Sequence, residues 1–189
     1  QIPGVVLLKA DSKLNFNGGR LIAGASITGT ESLVSGLGTV VLNGPAYIST
    51  PVAVTGSPIS TVISGTGSLI KEGAGGLVLS GANTYNGGTF VNAGTLALDY
   101  ATTVGSKLAD TSTLTLGGGT LNLGNGASAH VEVVASTSLN AGLSQVTQTL
   151  STSTLRTNLI TPGVGVVNFG SASIADTDNL NDASDAGGI

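Results

Sequence analysis

The sequence predicts an all-β protein: a right-handed parallel β-helix, or β-solenoid, of about eight irregular coils. Three observations carry this. Short apolar runs alternate with polar residues at the strand period and are cut by Gly, Asn and Ser, with no sustained helical period. Thirty glycines in 189 residues imply many tight turns or close backbone approaches. Apolar residues make up 40% of the chain but aromatics only 3%, with no Trp, Cys or Met. The core is therefore Val, Leu, Ile and Ala, which suits the narrow interior of stacked strands. An antiparallel sandwich would want aromatic anchors that this chain lacks. At roughly 20–25 residues per coil and ~4.8 Å between strands, the body would be about 40 Å long.

Taken in order, Ile2–Leu8 (IPGVVLL) is an uncharged strand that forms the first coil or adds to a neighbouring subunit. Lys13–Gly24 (KLNFNGGRLIAG) reads strand, Gly-Gly turn, strand, and Thr113–Gly124 (TLTLGGGTLNLG) repeats it. Thr39–Gly44 (TVVLNG) and Val166–Ala175 (VVNFGSASIA) are shorter relatives, and such self-similarity marks a solenoid. Ser32–Ile70 has no charged residue, yet Gly and Pro interrupt it too often for a spanning helix. Three Tyr and three Phe are too few for the girdles of a transmembrane barrel. Thr103–Asp110 has room for one helical turn, whereas Ala141–Leu150 is too rich in Ser and Thr. The reading is one solenoid unit over 1–189, or one stretch of a longer array, ending in an acidic loop or linker at 176–189. No amphipathic helix caps either end, which favours end-to-end stacking. Gln1 in place of Met points to a removed leader or an excised piece.

The most specific stretch is Gly65–Leu98, GTGSLIKEGAGGLVLSGANTYNGGTFVNAGTLAL. Gly65, Gly67, Leu69, Lys71, Gly73, Gly75, Leu77, Leu79, Ser80, Gly81, Asn83, Thr84 and Tyr85 sit at set spacings. Gly87, Gly88, Thr89, Val91, Gly94, Thr95, Leu96 and Leu98 continue the pattern. This stretch resembles the autotransporter-associated β-strand repeat, also called the passenger-associated transport repeat. The one departure is Gly76, where family members usually carry Thr; the expected result is one softened turn. Looser likenesses to long secreted members lie at Asn15–Gly19, Val131–Thr137, Leu139–Gly142 and Asn168–Gly170. The resemblance implies a secreted bacterial surface protein and a β-helix, and it does not imply an enzyme.

The remaining residues narrow the function classes. A net charge of −4 and six scattered basic residues build no phosphate-binding stripe, so nucleic acid is not an expected partner. β-Helical enzymes acting on polysaccharides need clustered carboxylates, but Asp11, Glu31, Glu72, Asp99, Asp110 and Glu132 stand apart in sequence. His130, the single histidine, lies at a strand start two residues from Glu132 and on the same face; it reads as a surface histidine. Asp176, Asp178, Asp182 and Asp185 form one acidic cluster with oxygen ligands suited to Ca²⁺. It lacks the glycine and final glutamate of an EF-hand loop and the nonapeptide pattern of a β-roll, so it reads as a solvated loop. Thr111–Thr115 and Ser151–Thr154 are too irregularly placed for an ice-binding array.

No catalytic, cofactor-binding or metal-binding residue is assigned, and no cofactor is expected. The expected role is a non-catalytic structural protein of the bacterial exterior, a rod or a fibre polymerised by end stacking or strand exchange. The alternative is an adhesin segment that binds glycans or other cells. Expected partners are other copies of the chain, other surface proteins or glycans, without nucleic acid and without embedding in a membrane.

Overall fold

The computed structural model describes residues 6–24, 32–36, 38–52, 54–124, 130–149, 153–170 and 174–176. The strands fall into coils. Three coils carry three strands each: β1 (Val6–Leu8), β2 (Lys13–Phe16) and β3 (Gly19–Ile22); β4 (Val34–Gly36), β5 (Thr39–Leu42) and β6 (Ala46–Ser49); β7 (Ser57–Ile59), β8 (Ile63–Gly65) and β9 (Leu69–Glu72). Two coils carry two: β10 (Gly76–Leu79) and β11 (Thr89–Val91); β12 (Thr95–Leu98) and β13 (Thr113–Leu116). Three-stranded coils return with β14 (Thr120–Leu123), β15 (Val131–Val133) and β16 (Ser136–Leu139), then β17 (Leu143–Gln148), β18 (Thr154–Arg156) and β19 (Leu159–Thr161). β20 (Val166–Phe169) and β21 (Ala175–Asp176) begin another.

Every pairing is parallel. One face is an eight-stranded sheet, β1-β4-β7-β10-β12-β14-β17-β20; a second is seven-stranded, β3-β6-β9-β11-β13-β16-β19. This is the expected β-solenoid. Eight strands stacked in one sheet require seven windings between them, slightly fewer than eight complete coils, and span about 34 Å at ~4.8 Å per strand. The third face is split into two three-stranded sheets, β2-β5-β8 and β15-β18-β21.

The period-two alternation places like on like. On the eight-stranded sheet, Leu77, Leu96, Leu121 and Val146 stack in one interior column, and Ile59, Leu79, Leu98 and Leu123 in the next. On the opposite sheet, Ile48, Lys71, Val91, Leu116 and Leu139 form a column that includes one cation. Each buried Leu or Ile contributes about 1.5–3 kcal/mol. Parallel strands cannot be joined by tight hairpins. The chain instead turns at corners, and these corners use the glycines. A Cβ on Gly67 would stand 2.2 Å from the Gly44 carbonyl oxygen, and one on Gly87 2.2 Å from that of Gly67. The corner leading into the seven-stranded sheet is therefore a column of bare backbone.

Three expectations change. No helix occurs among the described residues: Thr103–Asp110 is turns and bends, and 143–148 is strand. None is therefore long and apolar enough to cross a membrane. Gly76 does not soften a turn. It opens β10, and a Cβ there would lie 2.5 Å from the Thr55 carbonyl oxygen. The coil beneath comes too close for Thr. The look-alike units Lys13–Gly24 and Thr113–Gly124 are also out of phase. The first turns from the third face into the seven-stranded sheet, and the second turns from that sheet into the eight-stranded one. Of Ile2–Leu8, Val6–Leu8 is a strand and the residues before it lie outside the described set, as do 177–189.

Candidate functional site

The polar groups buried in this apolar tube concentrate at the gap in the third face. There the backbone ladder is replaced by side chains. In the first short coil, the chain still follows β8 through Thr84 N to Ile63 O (2.7 Å) and Asn86 N to Gly65 O (2.8 Å). Asn83 then spans three coils. Its Oδ1 accepts from Ile63 N at 2.9 Å, and its Nδ2 donates to Lys107 O at 2.9 Å. In the next coil, Lys107 N (2.9 Å) and Leu108 N (2.6 Å) donate to Glu132 on β15. A relay from Ile63 through Asn83 and Lys107 to Glu132 thus completes a ladder that no strand supplies. Both side chains are buried, Glu132 fully. Each satisfies amides that would otherwise be orphaned at about 1–3 kcal/mol apiece.

Glu132 also accepts from the Tyr100 hydroxyl at 2.9 Å. The Tyr100 ring lies 4.6 Å from that of His130 and 5.3 Å beneath the Lys107 ammonium. The Lys107 Nζ donates to Thr103 O (2.6 Å) and Gly105 O (2.9 Å), which ties down the loop it belongs to. Burial lowers the Lys107 pKa, countered by Glu132 and Asp99. Burial raises the Tyr100 pKa far above the usual phenol range, and the charge on Glu132 adds to this. His130 is not the surface residue expected: its side chain keeps 14% of its exposure. Its Nε2 lies 3.4 Å from Glu132 Oε2, near enough to pair when protonated but without a hydrogen bond.

A second polar insertion lies one coil earlier. Lys71 occupies a core position between Ile48 and Val91, and its ammonium donates to Glu72 O (2.8 Å), Gly73 O (2.8 Å) and Ala93 O (3.0 Å). Three donors meet three carbonyls at one corner. Desolvation lowers its pKa to about 8, with Glu72 opposing. Glu72 itself pairs with Arg20 at 2.8 Å. Tyr85 is fully buried, with its hydroxyl 2.6 Å from Thr89 Oγ1, and burial raises its pKa.

Asn83, Tyr85, Thr89 and Lys71 all lie within the stretch that the sequence singled out. Residues 69–98 match the family model of the passenger-associated transport repeat. The segment is such a repeat. Its match begins at Leu69, so Gly65 and Gly67 belong to the preceding strand and corner. Over 96 residues, 51% of this chain, the sequence is 36% identical to the adhesin BmaC autotransporter of Brucella suis biovar 1 (strain 1330). The chain spans 2% of that relative's length. No solved structure matches the chain. The transport repeat and the autotransporter relative mark a secreted, cell-surface protein of the passenger type.

In the transport repeat, then, the motif polar residues hold the fold. Lys71 ties a corner, Asn83 bridges three coils, and Tyr85 with Thr89 fills the interior. Glu132 lies outside the repeat and was not foreseen as buried. Its signal was alternation: Val131 is 41% exposed, which turns Glu132 inward. Of the four aspartates proposed for Ca²⁺, Asp176 is in β21, paired in register with Arg156. Asp178, Asp182 and Asp185 lie outside the described residues. Among those described, no three His, Cys, Asp or Glu converge as metal ligands.

Proposed function

We propose that this chain is a non-catalytic rod segment of a larger bacterial surface protein, acting as a stiff adhesive stalk. One observation carries the reading. Parallel ladders eight and seven strands long run through the described residues over stacked Leu, Ile and Val columns. The buried ionisable groups support it as well. Glu132 is occupied by backbone amides and Lys71 by carbonyls, so neither is poised for acid–base work. The autotransporter relative's description as an adhesin supports the contact role. The proposed unit is a single solenoid over 1–189. Small-angle scattering of the chain tests this: an elongated particle with one cross-section is expected, and a compact sphere or flexible string would overturn it.

Self-association is the second reading. Leu143, Leu159, Val164 and Val166 are each at least 60% exposed and lie on the last described coils. Leu143 and Val166 are register partners. Such a patch favours a further coil or a second copy stacked there. Sedimentation across a concentration series checks it: concentration-dependent growth supports stacking, and a monomer at every concentration removes it.

A further inference from the structure

The outer face of the seven-stranded sheet carries one chemically distinct place. Six aromatic residues exist in the chain. Tyr85 and Tyr100 are buried, and Phe16 and Phe169 pack against the core. The other two, Tyr47 and Phe90, stand on the same outward column, on either side of Ile70. With Pro45, Ser68 and Asn92 they line a groove of about 280 Å³.

Its dimensions and charge restrict the occupant. Tyr47 and Phe90 are separated by two strand spacings, about 9.6 Å along the axis. Two van der Waals contacts at ~3.5–4 Å use most of that gap. What remains suits a puckered ring with C–H groups on both faces better than a flat base. Ile70 is 7% exposed and floors the groove. The Arg20 guanidinium lies 5.6 Å over the Tyr47 ring and is itself paired with Glu72 at 2.8 Å. The cation therefore stiffens Tyr47 without leaving an uncompensated charge. The polar residues among the lining, Ser68 and Asn92, are neutral donors and acceptors. A neutral occupant with apolar faces and hydroxyl edges complements this set.

We propose that this groove binds one pyranose unit of a neutral glycan, with sugar C–H faces against Tyr47 and Phe90 and hydroxyls toward Ser68 and Asn92. This rests on the adhesive reading of the rod and names its ligand class.

The test uses the intact chain on an array of neutral oligosaccharides built from glucose, galactose, mannose and N-acetylglucosamine. Sulfated and sialylated glycans and short peptides serve as other probes. Phe90→Leu and Tyr47→Leu keep apolar volume and remove the ring; their melting curves confirm folding. Binding to at least one neutral oligosaccharide is expected, with each variant about tenfold weaker and Val164→Ser unchanged. Three results would overturn the proposal: no neutral oligosaccharide bound, binding only to anionic glycans or peptides, or binding unaltered in both folded Leu variants. Scattering on the same samples keeps the two readings apart. An elongated particle that binds no neutral sugar sinks this inference alone, whereas a non-elongated particle sinks the rod.

Discussion

The transport repeat and the coils that flank it solve one packing problem in two ways. In the repeat, Gly76 pairs with Thr95, 19 residues on, and Thr89 with Leu69, 20 residues back. In the coils after it, Thr95 pairs with Thr120 and Leu114 with Thr137, 25 and 23 residues on. The longer coils afford a third strand, and their third face is held by backbone pairing in β2-β5-β8 and β15-β18-β21. The shorter coils have none, and Asn83 and Glu132 take over. A regular motif is thus the part of the rod that depends most on individual side chains. A strand tolerates many residues because its bonds are main-chain; a side-chain bridge tolerates one or two.

The comparison can be broken at four places. The largest effect is expected at the bare corner. Gly67→Val forces a branched side chain onto the Gly44 carbonyl, 2.2 Å from the Cβ position. Loss of the cooperative melting transition is expected. Gly105→Ala, in a loop position with open space, should stay within about 0.5 kcal/mol of the parent.

Next is the relay. Glu132→Ala leaves the Lys107 and Leu108 amides without acceptors and should cost about 3 kcal/mol in urea unfolding. Asn83→Ala should behave alike, through Ile63 N and Lys107 O. If both are near neutral, water replaces the bridges and the contrast between the regions fails.

Smaller is the restoration of the family's usual residue. Gly76→Thr should destabilise by about 1–3 kcal/mol, because the Thr55 carbonyl occupies the needed space. A stabilised variant would show that the coil beneath yields.

The smallest is a pH effect. The Lys71 pKa is near 8 in the fold and 10.5 when unperturbed. Above pH 8 the unfolded chain binds more protons, so stability rises with pH, by about 1 kcal/mol after allowance for solvent screening. Lys107 acts in the same direction. Beyond pH 10 the tyrosines reverse the trend. Tyr85 and Tyr100 keep their protons when folded and lose them when unfolded, so stability falls. Chemical denaturation between pH 7 and 11 should show the maximum, and Lys71→Met should flatten its rising side.

The sequence disclosed the solenoid because its interior is periodic. Leu-x-Leu runs such as Leu77–Leu79, Leu96–Leu98 and Leu121–Leu123 become adjacent columns with no change of pattern. It disclosed the repeat through residues whose roles are now physical: Lys71, Asn83, Tyr85 and Thr89. It could not disclose which corner a Gly-Gly turn occupies, since the same strand–turn–strand chemistry serves at two corners. Nor did it disclose the partnership of Tyr100, Lys107, His130 and Glu132. These groups meet only because a 14-residue connection, 99–112, replaces a strand between β12 and β13. Charge spacing along a chain carries no information about such a fold-back. The groove at Tyr47 and Phe90 was hidden likewise, because its two rings lie 43 positions apart and meet by winding.

The register has a further consequence, for the order in which the molecule is made. The described strand pairs join residues from 19 positions apart, as in Gly76 with Thr95, to 28, as in Val6 with Val34. Each coil needs only its predecessor as a template. Such a chain can nucleate at one place and grow coil by coil, without waiting for its far end. A polypeptide presented end first would lengthen its folded part at the pace of its delivery, and each newly laid coil would resist sliding back.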